Sequence, residues 1–466
     1  MPANAISKGA AVPSFPQMNA SQSTSTKLSS AAPSPLFSRR SSSSETGDLA
    51  VIPPGRRPSR THVLVFKSGD GLGHKYDACN NSNIVKFFDL LHRSGNDQTV
   101  YECVPSECRT LNPQSQFHTC EKVDKFLDKN LAVDLHSNFE RAYHDLVTYY
   151  QVGDKISLFG FSRGAYTARA LAEMIHKVGL LPSNAQTRIP FAYSLYMRAV
   201  DNDWHEAFAK FKELKPRTVR IDFIGVWDTV SSVGDVIPRT LPFTRSNTSI
   251  RVFRHALALH EPRASLHPKF YEQFDAQNGH DGTDVQEVWF AGSHCDVGGC
   301  AVSEDTSHSL GHISLRWMVR ECFRANTGIQ FHAEELRNIG LDPASLYPIV
   351  EDRPRSLRPH YHHFNSIAPR APMASEEEHD VRDALSLVHD QSTVFALLWW
   401  ILGFLPIWRR IPLGSPSDWN EQPKTVRMNL PRGLVIPNDH SGRRFYVHPT
   451  VHTRTQAESL REDRFN

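Results

Sequence analysis

The stretch LFGFSRGAYTARAL, residues 158–171, sets Ser162 between Gly160 and Gly164 at the junction of two hydrophobic patterns. The preceding DKISLFGF is typical of a short buried strand, and the following GAYTARALAEMIHKVGLL has apolar residues at helical spacing before Gly179. A strand that turns sharply into a helix projects the central serine, and small flanking residues make room for the turn. The stretch therefore predicts a nucleophilic serine, although the bare pattern also fits a plain glycine-flanked turn.

A serine nucleophile needs a base to take its proton and an acid to orient that base. Downstream, VRIDFIGVW indicates a buried strand that ends at Asp228, which we predict to be the acid. VQEVWFAGSHCDVGG indicates a strand followed by a glycine-rich loop with His294, the predicted base. Asp296 competes for the acid role, but it lies two residues from His294, so we expect it and Thr229 to support the site. His448 is the reserve base.

An ester-cleaving serine also needs backbone N–H donors for the oxyanion. The N–H of Arg163 is one candidate, because a helix N-terminus carries a partial positive charge. The second is an N–H near Gly69 to Gly71, in the loop after the strand THVLVF. Together with the elbow glycines Gly160 and Gly164, these residues form the predicted oxyanion site.

The composition is that of a mostly globular protein. The 466 residues are 39% apolar and 22% charged, and the net charge of +2 argues against a nucleic-acid binder. The seven cysteines show no C-x-x-C spacing, and a metal site at His294 and Asp296 lacks further recognisable ligands. We therefore expect no metal and no cofactor, reduced thiols, and an intracellular, cytoplasmic protein with membrane association as an option.

Changes in composition divide the chain into four regions. Residues 1–58 are rich in Ser, Ala and Pro and predict a disordered tail, because they bury too little apolar surface to fold. Residues 59–330 hold the three motifs and predict an α/β-hydrolase-like domain, with a mostly parallel sheet flanked by helices. Residues 331–454 predict a C-terminal accessory or lid region packed on that domain, and residues 455–466 a polar tail.

An apolar segment in the C-terminal region, VFALLWWILGFLPIWRR at residues 394–410, has two interpretations. Its uninterrupted apolar run is too short to span a bilayer as a helix. It fits either a core helix or a surface helix that dips into lipid, with Pro406 bending or ending the helix. Residues 394–408 are therefore the candidate for peripheral membrane contact.

Taken together, GDKISLFGFSRGAYTARALAEMI, FIGVWDTVSSVG and VWFAGSHCDVGG resemble a family of α/β-hydrolase domains. That family includes bacterial type VI secretion phospholipase effectors and many fungal relatives. The resemblance extends over residues 60–325 and implies Ser162 as nucleophile, Asp228 as acid and His294 as base. It also implies hydrolysis of carboxylic esters, with lipid or phospholipid acyl esters as the substrate class and an acyl-enzyme as the intermediate.

Three stretches depart from the pattern of that family. KSGDGLG, residues 67–73, stands where relatives read C-D-G-T, and YECVPSECRT, residues 101–110, stands where they carry a Tyr and a G-x-G-T stretch. In ALALHEPR, His260 replaces an acid. Because the first loop helps to build the oxyanion hole, these departures leave a second interpretation open, a catalytically impaired hydrolase-like binding module. The sequence does not set the oligomeric state.

Overall fold

The computed structural model of the chain describes the residues that carry the predicted sheet and its flanking helices. The described ranges are 51–54, 59–67, 81–93, 96–103, 139–198, 204–230, 247–261, 268–271, 282–303, 305–353, 375–389, 406–410, 424–428 and 446–462.

The described strands and helices alternate along the chain through most of its length. The strands are β1 Val51–Ile52, β2 Thr61–Phe66, β3 Gln98–Cys103, β4 Lys155–Phe161, β5 Ile221–Trp227, β6 Ile250–Ala258, β7 Asp284–Phe290, β8 Phe331–His332, β9 Pro406–Arg410, β10 Lys424–Met428 and β11 Tyr446–Val447. The helices are α1 Asn83–Leu90, α2 139–149, α3 Ser162–Val178, α4 Ile189–Arg198, α5 Trp204–Lys212, α6 His294–Gly298, α7 Leu310–Arg324, α8 Ala333–Asn338, α9 Glu376–Ala384 and α10 Pro449–Glu462, with short 3₁₀ turns at Ser183–Arg188 and Pro343–Ser345.

Seven of these strands form one sheet in the order β11-β7-β6-β5-β4-β2-β3, and every neighbouring pair is parallel. The central strands β2 and β4 are buried along almost their whole length and are mostly apolar, because helices cover both faces of the sheet. Alternate residues of β2 show this: Leu64 and Phe66 pack in the core layer that contains α3, whereas Val63 and Val65 pack in the layer that contains α1 and α7. The predicted fold class, a mostly parallel α/β sheet flanked by helices, is confirmed.

The C-terminal region contributes to the same sheet. Strand β11 pairs with β7 in parallel, Tyr446 opposite Val288, and so adds the outermost strand. Helix α9 is held against α7 by buried ion pairs in which Arg316 contacts the carboxylates of both Asp380 and Asp383. These charges are desolvated together, so each depends on its partners, and loss of one partner leaves a buried charge unpaired.

Two segments differ from the sequence-based expectation. Val51 and Ile52 lie within the predicted tail of residues 1–58, yet they form β1 and pair with β8, and Ile52 is buried. The last part of the apolar segment is strand β9, which pairs with β10; this strand was not predicted, but it begins at Pro406, where the sequence predicts that the helix bends or ends. Proline cannot continue a helix, and the following Ile and Trp favour strands. Residues 394–405 and 1–50 lie outside the described residues. None of the described helices is long and apolar enough to cross a membrane.

Candidate active site

The turn between β4 and α3 holds Ser162 in a strained backbone conformation. Its φ angle is +54°, in the left-handed region that residues other than glycine rarely adopt. The two flanking glycines are required sterically. A Cβ at Gly164 would lie 2.3 Å from the carbonyl oxygen of Phe66, and a Cβ at Gly160 would lie 2.5 Å from the backbone of Gly164. The sequence pattern therefore encodes a sharp turn that presents the serine at the end of β4.

Three side chains from separate strand ends meet at this turn. Ser162 Oγ lies 2.9 Å from His294 Nε2, and His294 Nδ1 lies 2.6 Å from Asp228 Oδ2. Ser162 follows β4, Asp228 follows the neighbouring β5, and His294 lies four residues after β7. Because parallel strands end at the same edge of a sheet, residues far apart in sequence converge there. The structure brings together all three residues that the sequence analysis selected as nucleophile, acid and base.

The hydrogen bonds fix the protonation pattern of the site. A carboxylate accepts only, so Nδ1–H of His294 donates to Asp228, and the unprotonated Nε2 accepts from the hydroxyl of Ser162. Burial alone lowers the pKa of His294, but the hydrogen bond and charge of Asp228, with smaller contributions from Cys295 and Glu261, outweigh burial and raise that pKa above the ordinary histidine value. The imidazole can therefore take a proton and hold it as a stabilised cation.

The backbone around Asp228 is also strained and closely held. Its φ angle is +36°, its N–H donates to the carbonyl of Ala256 at 2.7 Å, and its Oδ1 accepts the N–H of Ala258 at 3.2 Å. The next residue, Thr229, donates its backbone N–H to Nε2 of His255 at 3.0 Å. Its hydroxyl is buried and has no hydrogen-bond partner among the described residues. Thr229 thus contacts the site through its backbone, and its hydroxyl takes no part in these contacts.

The predicted base, His294, does not lie in a glycine-rich loop, as the sequence suggested, but begins the short helix α6. Ser293 and Asp296 form a capping box: Asp296 donates its N–H to Ser293 Oγ, and its carboxylate accepts the N–H of Ser293. The same carboxylate accepts from the backbone and ring of His389. Asp296 therefore starts the helix and anchors the C-terminal segment, while the carboxylate that bonds to the ring of His294 is that of Asp228.

Sequence reasoning missed Glu261, which accepts the backbone N–H of His294 through Oε2 at 3.0 Å. This carboxylate is buried and lies three residues after β6, at the same sheet edge as the other site residues. The rule that located Asp228, a polar residue just after a buried strand, applies to ALALHEPR as well. The preceding residue, His260, stands where relatives carry an acid, and its ring nitrogen accepts the N–H of Gly292.

The remaining predicted residues have mixed outcomes. Arg163 lies in the first turn of α3, where backbone N–H groups have no partner within the helix. Gly69 and Gly71 lie outside the described residues. His448, the reserve base, is buried away from the serine: its Nδ1 contacts Thr450 Oγ1 at 2.8 Å, and burial lowers its pKa to about 4.

Other chemistry receives no support from the described part of the chain. Within it, no group of three or more His, Cys, Asp or Glu side chains is arranged to hold a metal ion. Cys295, within α6, and Cys300, just after it, are not joined by a disulfide. The arrangement present is a buried relay from a hydroxyl through an imidazole to a carboxylate, which suits proton transfer from a nucleophile.

Comparison with known proteins gives one family and a few distant relatives. Residues 60–321 match the family described as "T6SS, Phospholipase effector Tle1-like, catalytic domain". The uncharacterized protein YEL023C of Saccharomyces cerevisiae is 28% identical over an alignment of 240 residues that covers 47% of this chain and 34% of the yeast protein. The chain thus matches about a third of that relative's length.

Two solved structures are similar at low identity. One is the crystal structure of an uncharacterized protein from Pseudomonas aeruginosa, with 16% identity, a TM-score of 0.32, and coverage of 70% of this chain and 53% of that one. The other is the Tle1 effector bound to the VgrG spike of the type VI secretion system, with 17% identity, a TM-score of 0.24, and coverage of 53% and 52%. These TM-scores are too low for any structural conclusion about this chain.

Proposed function

The chain belongs to the family of Tle1-like phospholipase effector catalytic domains, and from this premise we propose that it is a serine hydrolase that cleaves carboxylic esters of lipids. The observation that carries the proposal is the continuous hydrogen-bonded path from Ser162 Oγ through His294 to Asp228. The family supports a lipid substrate, and the geometry supports a serine nucleophile. Phospholipid acyl esters are the substrate class that joins the two.

In the proposed mechanism His294 Nε2 takes the proton of Ser162 as Oγ attacks the ester carbonyl carbon. Asp228 holds the imidazolium that forms. His294 then gives the proton to the leaving alcohol, and the acyl group remains on Ser162. A water molecule, deprotonated by His294, attacks the acyl-enzyme and releases the fatty acid, and the proton returns to Ser162 Oγ.

The oxyanion that forms in each half of the reaction requires N–H donors beside the serine. The backbone N–H of Arg163 is one proposed donor, since it belongs to the first turn of α3. The second is an N–H of the chain that follows β2, near Gly69 and Gly71. The departures from the family pattern at residues 67–73 fall on that part of the chain, and those at residues 101–110 begin within β3.

A fluorophosphonate probe tests the proposal directly, because it reacts only with an activated serine. We expect wild type to be labelled at Ser162 and Ser162→Ala to remain unlabelled. Ser194→Ala is a matched control: this hydroxyl donates within its own helix to the carbonyl of Phe191, so labelling should match wild type. If folded wild-type protein is not labelled, the proposal of a serine hydrolase is rejected and the hydrolase-like binding module is favoured.

Lipid release separates the substrate class from general esterase activity. Extracted membrane lipids, incubated with wild type beside Ser162→Ala, should yield free fatty acid and lysophospholipid only with wild type. Activity on short-chain nitrophenyl esters without any change in the lipids would keep the serine mechanism and reject the lipid substrate.

A lipid substrate is met at an interface, so we also propose peripheral membrane contact of an intracellular protein through residues 394–408. Of these, only the strand from Pro406 is described, and the proposal rests on composition. The Trp399→Ala, Trp400→Ala double variant should keep its unfolding temperature and lose liposome co-sedimentation. A variant that unfolds instead identifies a core segment and rejects membrane contact.

A further inference from the structure

A second buried histidine lies beside the proposed acid. His255, on β6, is fully buried, and its Nε2 accepts the backbone N–H of Thr229 at 3.0 Å. Its Nδ1 lies 3.0 Å from Oε1 of Glu287, which occupies the opposing position on β7. The same carboxylate oxygen accepts the N–H of Tyr271 at 2.9 Å. Two neighbouring strands thus supply a histidine–carboxylate pair directed at the residue after Asp228.

These contacts require one form of the His255 ring. An amide N–H can only donate, so Nε2 must be unprotonated to accept it, and the ring proton must lie on Nδ1. Nδ1–H then donates to Glu287, a carboxylate that selects this tautomer. A doubly protonated ring would turn Nε2 into a donor facing the N–H of Thr229. The pair therefore works as a fixed acceptor.

The peptide that His255 holds is the one that orients the acid. Asp228 has a φ angle of +36°, a conformation that persists only where its surroundings hold it. On one side its N–H is bound to Ala256, and on the other side the following peptide N–H is bound to His255. Without that acceptor the N–H of Thr229 is buried and unpaired, and the strained peptide is free to rotate to find a partner. Rotation there moves the Asp228 carboxylate relative to His294.

We propose that His255, fixed by Glu287, is a positioning residue that keeps Asp228 aligned with His294 through the backbone of Thr229. This inference rests on the proposed function, because it assigns a role within the same proton relay. His255 touches neither Ser162 nor His294 in the described contacts, so it acts only through the acid.

The test compares His255→Leu, which removes the acceptor, with His255→Gln, whose amide oxygen can accept the N–H of Thr229 and whose amide N–H can donate to Glu287. We expect His255→Leu to lower kcat on a soluble ester about 10- to 100-fold with little change in KM. The acidic limb of its pH–rate profile should move to lower pH, because a misaligned Asp228 supports the His294 cation less. His255→Gln should stay within about three-fold of wild type with an unchanged profile.

His62→Leu is the matched control. His62 is an equally buried histidine bonded to a carboxylate, Asp154, but at the opposite edge of the sheet. It should lose stability without moving the pH profile. If His255→Leu does not fold, Glu287→Ala, which removes the partner of Nδ1 and also the acceptor of the Tyr271 N–H, should lower kcat in the same direction with a smaller effect.

The outcomes separate this proposal from the proposed function. If the pH–rate profile of His255→Leu is unchanged while Ser162→Ala is inactive, the positioning role is overturned and the serine hydrolase is kept. Where His255→Leu does not fold, an unchanged profile in Glu287→Ala has the same meaning. An equal loss of kcat in His255→Leu and His255→Gln also overturns the positioning role. Full activity in Ser162→Ala overturns the serine hydrolase itself. A shifted profile in His255→Leu, restored in His255→Gln, supports the role of His255.

Discussion

The two edges of the sheet carry the same three chemical groups in different settings. At the carboxyl edge, His294 joins the carboxylate of Asp228 to the hydroxyl of Ser162. At the amino edge, His62 joins the carboxylate of Asp154 to the hydroxyl of Tyr101, with both contacts at 2.9 Å. A search for a hydrogen-bonded carboxylate, imidazole and hydroxyl finds both, so that constellation alone does not define an active site.

What distinguishes the two is backbone strain and the state of each group. Ser162 and Asp228 both have positive φ angles, whereas Asp154 braces the start of β4 by accepting the N–H groups of Arg60 and Gln151. Burial raises the pKa of Tyr101 well above its ordinary value, so this phenol stays protonated. The strained backbone at the carboxyl edge indicates a chemical role for the group there. The backbone hydrogen bonds of Asp154 indicate a structural role for the group at the amino edge.

The pKa values of the two histidines differ in direction for a physical reason. Burial dominates at His62 and lowers its pKa, although Asp154 opposes that shift. At His294 the hydrogen bond and charge of Asp228 overcome burial and raise the pKa. A raised pKa suits a base that must hold a proton during turnover, and a lowered pKa suits a structural histidine that stays neutral.

The largest expected effect comes from removing each hydroxyl. Ser162→Ala should lower kcat on a soluble ester on the order of 10⁴- to 10⁶-fold, because it removes the nucleophile. Tyr101→Phe removes the hydroxyl at the amino edge and should leave kcat within about two-fold. For each purified variant, kcat on a soluble ester and the unfolding temperature are measured on the same preparation. Comparable losses of kcat in the two variants would erase the distinction between the edges.

The next effect concerns the carboxylates. Asp228→Asn keeps the shape of the acid but favours the wrong His294 tautomer, so kcat should fall about 10³- to 10⁴-fold. Asp154→Asn should cost about 1–3 kcal/mol of unfolding free energy and leave kcat near wild type. Denaturant unfolding and ester kinetics on the same preparations measure the two effects. An active Asp228→Asn enzyme would show that another residue orients His294.

The sequence predicted the fold where local pattern and tertiary role agree. The apolar runs before Ser162, Asp228 and His294 are strands, and residues at the ends of parallel strands meet at one edge. Gly179 ends α3 with a φ angle of +82°, as predicted from its position after the helical pattern. These predictions needed only periodicity and the carboxyl-edge rule.

The features that the sequence did not predict depend on register and on distant contacts. His255 and Glu287 face each other only because β6 and β7 align in one register, and nothing in RVFRHALA marks its histidine as different from its apolar neighbours. Strand β11 joins β7 from more than 150 residues along the chain. Helix α6 hides its capping box within a glycine-rich stretch that resembles a loop. Such pairings are properties of the folded chain.

The pH dependence is the third test. In the proposed mechanism His294 must be neutral to act as the base, so kcat/KM should fall about ten-fold per pH unit below a pKa that lies above the ordinary histidine value. Stability should not follow activity. A raised pKa means that His294 stabilises the fold at pH values below its unfolded pKa, and that this contribution is lost as pH rises through the folded pKa. Acidification should thus inactivate the site while His294 continues to stabilise the fold.

His62 supplies the opposite sign for comparison. Its lowered pKa means that the unfolded state binds the proton more tightly, so its contribution to stability is lost as pH falls through the ordinary histidine value. Unfolding free energies measured from neutral to acidic pH should therefore fall less steeply in His62→Leu than in wild type. The acidic limb of activity should be the same in both. If the acidic limb of the activity profile shifts in His62→Leu, the titration that controls activity belongs to the amino edge and not to His294.

The smallest expected effect removes a charge difference between the two edges. Besides their aspartates, His294 has the carboxylate of Glu261, which raises its pKa, while His62 has Arg60, which lowers its pKa. Glu261→Gln keeps an oxygen to accept the N–H of His294 but removes the charge, so the acidic limb should move slightly to lower pH and kcat should fall about two- to five-fold. Arg60→Gln changes the electrostatic field at His62 and should leave the acidic limb and kcat unchanged.

Glu261 acts on His294 through its charge and through a hydrogen bond to the backbone N–H, and Glu261→Ala separates these two effects. A larger loss in the alanine variant than in the glutamine variant shows that the hydrogen bond to the backbone positions the base, and equal losses show that charge alone matters.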